Sequence, residues 1–587
     1  MRAPLILGLC LAAGAAGARA QTPRTDSLDA FVRATMARRH IPALSLAIVQ
    51  GGRIVYARAY GVTDLATGAP ATTATLFQAG SISKPVAALG ALQLVEQGKL
   101  SLDAPINDYL TSWKVPENAW TVTQKVTLRR LLSHNAGVTV HGFPGYDVAG
   151  PIATLVQVLD GAPPANTPPI RVDTTPGAIW RYSGGGITIM QQAMIDVTHE
   201  PFPAFMQRTV LRPIGMNASS YEQPPTPARA ALTATGYYAD RSPVRGRWHV
   251  YPEMAAAGLW TTPSDLARFA IEIQQTLAGH GHGVISPAMA RQYVTEQKAP
   301  SGLGILVSGS GPALRFSHDG RDEGFDANLV GFAGTGDAAA VMIDANDNSF
   351  SMSQVVPYIA RAYGFPGATA PQPGALKAAP IDPSLLESSA GYYELHENDM
   401  LPLVPSPDRT GLITLTDGLP DEDLLPLDSV TFGSTGRPLR IAFVRTPTGE
   451  VTGLVWRPGQ GRPELHAPRI APLPSTLTPA PDPDPALTTR IVAALQAVAV
   501  GGAELADAPG VTPGAKKDFA GGAPAVRGLR DFTCLGQSDV SGRGIHRHGH
   551  DVARVRSYRI VTGTVPSYLF VYLTADGLVT DEDVVAR

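Results

Sequence analysis

Hydrophobic and polar residues alternate with two different periods near the start of the chain. In DSLDAFVRATMARRH (26–40) the apolar residues follow helical spacing behind an aspartate; they are Leu28, Phe31, Val32 and Met36. The next stretch, ALSLAIVQGGRIVYARAYG, contains two strand-like runs separated by Gly51 and Gly52. The pattern therefore predicts a helix followed by an antiparallel hairpin.

The same two periods return further along the chain. TTPSDLARFAIEIQQTL begins with Thr262, Pro263 and Asp265, which predicts a capping box with proline at the first helical position. FDANLVGFAGTGDAAAVMIDAND (325–347) predicts two strands joined by a glycine turn. Because strands stand at both ends and helices lie between them, residues 24–368 predict an α+β domain: one antiparallel sheet, helices packed on it and a helical insertion.

Two stretches rich in proline and alanine break this texture and predict linkers at 369–383 and 475–486. Between them, residues 384–474 are almost all strand-like, as in PLRIAFVRT and EVTGLVWRP, which favours a small barrel or sandwich. Residues 487–587 begin with the amphipathic LTTRIVAALQAVAV and end in strand patterns, which predicts one helix on a curved antiparallel sheet. The protein is therefore expected to be multidomain.

Length and composition agree with this organisation. The chain has 587 residues, of which 44% are hydrophobic and 17% charged, with a formal net charge of -3. These values predict a soluble globular protein of two or three domains and argue against nucleic acid as a partner. After the N-terminal segment, no stretch approaches the roughly 20 apolar residues that span a bilayer, so no membrane span is expected.

The first 20 residues have the pattern of an export signal. Arg2 precedes a short apolar run that closes on the small-x-small tripeptide at 18–20, which signal peptidases cut. We expect residues 1–20 to be removed and the protein to be periplasmic or secreted. Cleavage would discard Cys10 and leave Cys534 alone, so no intramolecular disulfide is expected.

Candidate chemistry begins in FQAGSISKPVAALGALQLVEQGKL (77–100), where Ser81 and Lys84 stand three residues apart at a predicted helix start. A serine hydroxyl becomes a nucleophile when a base removes its proton, and a buried neutral lysine on the same helix face is such a base. The helix N-terminus adds a free backbone N–H and the positive end of the dipole for an oxyanion. The alternative is an ordinary helix start, where serine is common.

Two further groups in the same segment favour the chemical interpretation. Tyr182 in PGAIWRYSGGGITIM follows a turn and precedes a predicted helix, where a phenol could act as general base or proton relay. His318 in RFSHDGRDEGFDANLVGF stands two residues before Gly320, which would let the backbone approach a substrate closely. Taken singly, each is more often structural: a packing tyrosine and a histidine at a strand edge.

The order SxxK, Tyr-x-x and His-x-Gly resembles the penicillin-recognising serine hydrolases. Within them, the chain is similar to the branch that contains class C β-lactamases, D-Ala-D-Ala carboxypeptidases, D-amino-acid peptidases and related esterases. VTLRRLLSHNAGV (126–138) and AAAGLWTTPSDLARF (255–269) are similar to family segments outside the active site. The resemblance covers roughly residues 26–365 and implies a β-lactamase/transpeptidase-like fold for them.

The resemblance also implies an acyl-enzyme mechanism and its site residues. Ser81 would be the nucleophile, and Lys84 and Tyr182 would share the proton transfers of acylation and deacylation. The substrate and oxyanion group would be His318, Gly320 and Arg321, with the backbone N–H groups of residues 81 and 321 forming the oxyanion hole. No metal and no organic cofactor are implied.

Two departures from the family pattern bear on the substrate. Gly184 stands where many relatives carry asparagine. His318 stands where relatives carry lysine or histidine, and a histidine in place of lysine weakens the fixed positive charge at neutral pH. Both argue against efficient β-lactamase action. We therefore expect an exported serine hydrolase of small peptides, amides or esters. A β-lactamase or D-Ala-D-Ala carboxypeptidase, and a non-catalytic protein that binds peptidoglycan fragments or another ligand, remain alternatives; assembly into a homo-oligomer is left open.

The strand-rich second segment carries a weaker resemblance. SAGYYEL (389–395) and the strands after it resemble the lipocalin-like domain found behind the catalytic domain in some of these peptidases. In such relatives that domain can cover the active site and restrict substrate size. Whether it does so in this chain is a hypothesis.

GIHRHGHD (544–551) offers a separate candidate site. His546, His548 and His550 stand at alternate positions, which on one strand would place them on one face and could bind zinc. A solvated hairpin is the favoured interpretation, so no metal site is predicted.

Overall fold

The computed structural model describes residues 25–238, 241–346, 350–368, 378–395, 400–406, 409–416, 419–434, 439–457, 464–476, 479, 481–519, 526, 528–562 and 565–585. The predicted leader at 1–20 lies outside these residues, as do residues 369–377 of the first predicted linker. Within the described ranges, no helix is both long enough and apolar enough to cross a bilayer. Three parts are named below: the first segment (25–368), the barrel segment (378–476) and the third segment (481–585).

The first segment is built on a seven-stranded antiparallel sheet. The strands of this segment are β1 (Ala43–Gln50), β2 (Arg53–Asp64), β3 (Ala69–Pro70), β4 (Phe77–Gln78), β5 (Tyr146–Asp147), β6 (His249–Val250), β7 (Trp260–Thr261), β8 (Leu306–Ser308), β9 (Arg315–Asp322), β10 (Phe325–Phe332) and β11 (Ala338–Ile343). The sheet order is β3-β2-β1-β11-β10-β9-β8. The N-terminal hairpin therefore lies directly beside the last strands of the segment, as the strand patterns at both ends predict.

Helices cover both faces of this sheet. They are α1 (Thr25–Arg39), α2 (Ser83–Glu96), α3 (Leu128–Leu132), α4 (Leu155–Asp160), α5 (Gly184–Thr198), α6 (Phe202–Met206), α7 (Pro227–Ala230), α8 (Met254–Ala257), α9 (Pro263–Leu277), α10 (Pro287–Tyr293) and α11 (Phe350–Ala362). Since successive strand residues point to opposite faces, Leu44 and Leu46 of β1 join the core under α1 and α11, whereas Ala43 and Ala47 join the larger core around α2 and α9. The α+β prediction is confirmed.

The start of α9 differs from the predicted capping box. The Thr262 hydroxyl accepts a hydrogen bond from the Asp265 N–H at 3.2 Å, and Pro263 takes the first helical position. The Asp265 carboxylate instead accepts from the Ser219 hydroxyl at 2.8 Å and pairs with Arg268 at 2.7 Å. The predicted hydrogen bond from the Asp265 N–H to the Thr262 hydroxyl is therefore present. The predicted return bond from the Thr262 N–H to the Asp265 side chain is replaced by tertiary partners, so that part of the prediction is wrong.

The barrel segment forms a closed antiparallel barrel within its described residues. It contains α12 (Pro383–Ser389) and the strands β12 (Gly391–Tyr393), β13 (Leu401–Pro405), β14 (Leu412–Thr416), β15 (Leu419–Pro426), β16 (Thr431–Ser434), β17 (Arg440–Arg445), β18 (Val451–Arg457) and β19 (Leu465–Pro472). Pairing of β12 with β19 closes the ring. Leu403, Phe432 and Trp456 are among the apolar side chains of its core. A barrel is thus confirmed over a sandwich.

The third segment is a four-stranded antiparallel sheet with helices on one face. Its elements are α13 (Pro485–Val500), α14 (Gly502–Ala506), α15 (Pro513–Asp518), β20 (Arg530–Asp539), β21 (His546–Arg547), β22 (His550–Asp551), β23 (Arg554–Thr562), β24 (Val565–Leu573) and β25 (Val579–Val585). The other face packs against the outside of the barrel, where the Tyr392 and Ser557 hydroxyls lie 2.8 Å apart. The sheet is therefore buried on both faces, with two short helices beyond the one predicted.

The barrel contacts the first segment through α11. Helix α11 of the first segment packs against β15 of the barrel. Because α11 and α2 lie on opposite faces of the sheet, this contact is remote from Ser81. The packing therefore gives no support to the hypothesis that the barrel covers the active site.

Candidate active site

Ser81 lies in a 3-10 turn, Gly80–Ile82, that leads directly into α2. The Ser83 hydroxyl donates to the Gly80 carbonyl at 2.6 Å and accepts from the Leu259 N–H at 2.9 Å, which holds the turn against the strand before α9. One helical turn on, the Lys84 Nζ lies 2.8 Å from the Ser81 Oγ and donates to the Ala256 carbonyl at 2.8 Å. The two predicted partners are thus in direct contact.

The electrostatic environment of Lys84 favours its neutral form. Its side chain is 1% exposed. Burial lowers the pKa of Lys84 to about 7, and the nearby Asp322 carboxylate acts in the opposite direction. A large fraction of the Lys84 amine is therefore unprotonated near neutral pH, whereas an ordinary surface lysine is almost fully protonated there.

Tyr182 precedes α5, whose first turn is capped by the Ser183 hydroxyl accepting from the Gly186 N–H at 2.9 Å. The Lys84 Nζ lies 5.0 Å from the centroid of the Tyr182 ring. Burial raises the pKa of Tyr182, and a hydrogen bond with the Ser81 side chain offsets part of that rise. The phenol therefore stays protonated at neutral pH and can donate a proton. Lys84, which is partly unprotonated at the same pH, is the better candidate for the general base.

The third motif lies on β9, directly against the Ser81 turn. His318, Gly320 and Asp322 alternate along the strand and are all buried. A Cβ at Gly320 would stand 1.9 Å from the Ala79 carbonyl oxygen, so only glycine permits this approach. A Cβ at Gly80 would likewise stand 2.4 Å from the Arg321 backbone nitrogen. The Arg321 amide is therefore beside the residue that precedes the nucleophile.

His318 is neutral in this environment. Its side chain is 4% exposed, and its Nδ1 lies 2.6 Å from the Asp319 carbonyl oxygen, which assigns the ring proton to Nδ1. Burial, followed by the charge of Lys84, lowers the pKa of His318 to about 3. The Nε2 is buried and has no hydrogen-bond partner among the described atoms. His318 thus presents a lone pair rather than a positive charge, as expected from the substitution of lysine by histidine.

The structure also explains the glycine at the position where many relatives carry asparagine. A Cβ at Gly184 would lie 2.9 Å from the Phe143 ring and 3.0 Å from the His141 carbonyl oxygen. The His141 ring in turn contacts the Tyr182 ring, with centroids 4.8 Å apart. The loop that contains His141 and Phe143 therefore fills the space that an amide side chain would need.

Sequence reasoning missed two buried carboxylates beside the site. Asp322 is 3% exposed and Glu253 is 0% exposed. Burial raises the pKa of Glu253 to about 8 and that of Asp322 well above its usual range, while Lys84 lowers the latter. The alternation His318, Gly320, Asp322 was the available signal for Asp322. Glu253 had none, because its burial depends on distant segments.

His134, within the stretch 126–138 that is similar to a family segment outside the active site, packs against Tyr182. Its Nδ1 accepts from the Ser183 N–H at 3.3 Å, and its ring centroid lies 4.4 Å from that of Tyr182. Burial lowers the pKa of His134 well below its usual range, so the ring is an uncharged acceptor. It positions the start of α5 rather than touching Ser81.

The three C-terminal histidines do not form a common site. His546 pairs with Asp551 at 2.5 Å, His548 lies 3.3 Å from Asp581, and His550 accepts from the Gly514 N–H at 3.4 Å. His546 and His550 belong to the two strands of a short hairpin, as predicted. Over the part of the chain that is described, no group of three or more His, Cys, Asp or Glu residues could hold a metal ion.

Comparisons with known proteins place this geometry in context. A protein-family model described as Beta-lactamase matches residues 28–363. The esterase EstB of Burkholderia gladioli is 31% identical over 202 residues, which is 32% of this chain and 49% of the esterase. Penicillin-binding protein 4 of Amycolatopsis lactamdurans is 26% identical over 317 residues, which is 52% of this chain and 81% of that protein. The match thus spans about half of the esterase's length.

The fold is similar to that of a solved structure. The octameric penicillin-binding protein homologue from Pyrococcus abyssi matches with a TM-score of 0.52 and 18% identity over 76% of this chain and 99% of that one. The match supports a β-lactamase/transpeptidase-like fold for the first segment.

Proposed function

The chain belongs to the beta-lactamase family, and from that premise we propose that it is an exported serine hydrolase that cleaves small esters, amides or peptides through Ser81, Lys84 and Tyr182. Membership in this superfamily of esterases, penicillin-binding proteins and β-lactamases makes it a serine hydrolase. The observation that carries the finer proposal is the 2.8 Å contact between the Ser81 Oγ and the buried Lys84 Nζ.

Acylation follows from these positions. Neutral Lys84 takes the Ser81 proton as the Oγ attacks the carbonyl carbon of the substrate, and the carbonyl π electrons move to oxygen. The backbone N–H groups of Ser81 and Arg321 stabilise that oxyanion, each contributing about 3–4 kcal/mol. Collapse expels the alcohol or amine, which receives the proton through Tyr182, whose ring lies against Lys84. The product of this half-reaction is an ester at Ser81.

Deacylation uses the same groups in reverse. Lys84, unprotonated again, takes a proton from water, and the resulting hydroxide attacks the acyl carbon. The oxyanion returns to the same two N–H groups, and Ser81 leaves with the proton from Lys84 or Tyr182. The free acid and the original enzyme result. Both half-reactions use the three side chains, the two backbone N–H groups and one water molecule.

Two features of the site favour esters and simple amides over β-lactams. The site has no amide side chain at position 184, because Phe143 occupies that space. It also has no charge at His318, whose pKa is lowered to about 3, so a substrate carboxylate gains no ion pair there. Both losses weaken recognition of the acidic, amide-bearing ligands that penicillin-binding relatives hold.

A substrate panel tests this function. We expect p-nitrophenyl acetate and butyrate to be turned over with kcat/KM at least about 100-fold above that for a chromogenic cephalosporin, with D-alanine p-nitroanilide between them. The difference follows from the missing amide and charge described above. The measurement is steady-state kinetics on the mature chain. If the cephalosporin is hydrolysed faster than the esters, the protein is a β-lactamase instead. If none of these substrates is hydrolysed and a fluorophosphonate probe does not label the protein, it is a binding protein.

The pH dependence of the Asp322→Asn variant tests the role of Lys84 as base. Lys84 faces Asp322, His134, His318 and the ring of Tyr182, and of these only the Asp322 carboxylate favours the ammonium form by its charge. Asp322 itself also faces Glu253 and Glu323, which raise its pKa. Removing the carboxylate charge should therefore lower the pKa of Lys84 and move the acidic limb of kcat/KM to lower pH.

The matched control is Asp344→Asn. Asp344 is a fully buried carboxylate in the same segment that accepts from the Ala43 N–H at 2.7 Å, away from Lys84. We expect this variant to lose thermal stability without moving the acidic limb. An unchanged limb in Asp322→Asn, or an equal shift in both variants, would contradict the coupling of Asp322 to Lys84.

A further inference from the structure

Two exposed apolar side chains stand just before Tyr182 and have no role in the function proposed so far. Ile179 is 45% exposed and Trp180 is 36% exposed, and both belong to the loop that leads into α5. We call these two residues the rim. Tyr182 and Ser81 are themselves partly exposed. An apolar surface open to water therefore adjoins the side chains that would carry the reaction.

Ring contacts place the rim beside Tyr182. The centroid of the His134 ring lies 4.4 Å from that of Tyr182 and 6.4 Å from that of Trp180. One imidazole thus contacts both aromatic rings. The Arg181 N–H, which lies between them in the chain, donates to the His134 carbonyl at 2.7 Å. The indole and the phenol are therefore held on the same histidine.

The loop 298–301 holds the rim from a second direction. The Trp180 Nε1–H donates to the hydroxyl of Ser301 at 2.9 Å, and Ser301 is 1% exposed. The Lys298 ammonium donates to the Ala178 carbonyl at 3.2 Å. Ile179 thus stands between two anchored residues, and the rim presents its apolar surface to solvent in a fixed position.

The proton transfers of the proposed mechanism decide which part of a substrate meets the rim. The carbonyl oxygen would face the N–H groups of Ser81 and Arg321, and the Arg321 amide lies against the Gly80 backbone on the β9 side. The departing oxygen or nitrogen would instead lie at the Tyr182 hydroxyl, from which it receives its proton. A leaving group that extends past Tyr182 over His134 therefore reaches the rim.

We propose that the rim binds the apolar part of the leaving group, so that the hydrolase prefers esters and amides of aromatic or other large apolar alcohols and amines. The inference rests on the proposed function, since it names the substrate class of the Ser81 site. An aromatic leaving group would pack against the Trp180 indole and contact Ile179. This contact favours acylation and has no part in deacylation, because the alcohol or amine has already departed.

The test keeps the acyl group constant and varies the alcohol. Ethyl acetate and 2-phenylethyl acetate have leaving groups of similar basicity and form the same acetyl-enzyme, so their difference in kcat/KM reports how the alcohol is held during acylation. We expect the full chain to favour 2-phenylethyl acetate at least about tenfold, measured as acetate release. Ile179→Asp should lower this preference at least about fivefold, whereas Ile179→Leu should retain it.

Two controls isolate the leaving group. The matched control is Val500→Asp, since Val500 is 57% exposed and lines a cleft between the first and third segments whose described lining includes neither Ser81 nor Tyr182. This variant should keep the preference of the unmodified protein. The second control is the ratio of kcat/KM for p-nitrophenyl octanoate and acetate, which share a leaving group. Ile179→Asp should leave that ratio unchanged, and thermal unfolding checks every variant.

The outcomes separate this inference from the function on which it rests. Equal rates for the two acetates in the unmodified protein, or an unchanged preference in Ile179→Asp, would overturn the assignment of the rim while leaving the hydrolase intact. A changed octanoate-to-acetate ratio in Ile179→Asp would assign the rim to the acyl group and overturn the proposal as well. If hydrolysis of p-nitrophenyl acetate survives Ser81→Ala, the proposed function fails, and the rim assignment fails with it.

Discussion

Replacement of Ser81 by alanine is expected to abolish covalent labelling by a fluorophosphonate probe and to lower kcat/KM for p-nitrophenyl acetate by about 10⁴-fold or more. The Ser81 Oγ is the hydroxyl that Lys84 contacts at 2.8 Å, in the turn that leads directly into α2. The proposed acyl-enzyme cannot form without this hydroxyl. The measurements are gel fluorescence of the labelled protein and steady-state ester hydrolysis.

The control for this variant is Ser310→Ala, an exposed serine before the short turn that leads into β9. It should label and turn over like the unmodified protein, and both variants should unfold at the same temperature. Labelling that persists in Ser81→Ala would place the nucleophile elsewhere. Loss of labelling in both variants would show that the probe reports folding rather than the nucleophile.

Loss of Lys84 should have the next largest effect. Lys84→Met keeps the length and apolar stem of the side chain but removes the base, so we expect kcat to fall by about 10³-fold. In the unmodified protein, the base is active only when unprotonated. Because burial lowers the pKa of Lys84 to about 7, kcat/KM should rise with pH through that value and level off above it.

The pH profile distinguishes Lys84 from the other titrating groups of the site. The pKa of His318 is lowered to about 3 and that of Tyr182 is raised, so neither titrates near neutrality. The residual activity of Lys84→Met should therefore lose the rise near pH 7. A variant that retains the same limb would assign the limb to another group, such as Glu253 with its pKa near 8. Circular dichroism and thermal unfolding check that the buried substitution is accommodated.

Much of the fold follows from local patterns. The helix at α1, the hairpin around Gly51 and Gly52, and the two strands β10 and β11 all fall where the sequence periods predict them. The turn requires positive φ angles, 54° at Gly51 and 75° at Gly52, which glycine adopts readily. Two adjacent glycines between strand-like runs therefore predict the turn from a few neighbouring residues. The failure at α9 has the opposite cause, since Asp265 binds Ser219 from a separate loop.

The candidate site divides in the same way. The Ser81–Lys84 pair could be predicted because a three-residue spacing on one helix fixes their contact locally. The closeness of Tyr182 and His318 could be inferred only through family resemblance, since more than 90 residues separate each motif from the next. Glu253 and the filled space at Gly184 could not be foreseen, because each depends on side chains brought in from elsewhere in the chain.

The sequence by itself determined the α+β class of the first segment, the strand-rich character of the second and the spacing of the serine–lysine pair, because periodicity, turn residues and helical spacing act over a few neighbouring positions. Only the tertiary structure decided that burial lowers the pKa of Lys84, that His318 is uncharged, that the barrel contacts the first segment through α11, and that a cleft lies between the first and third segments. Those properties depend on burial and on partners distant in sequence, which no local pattern specifies.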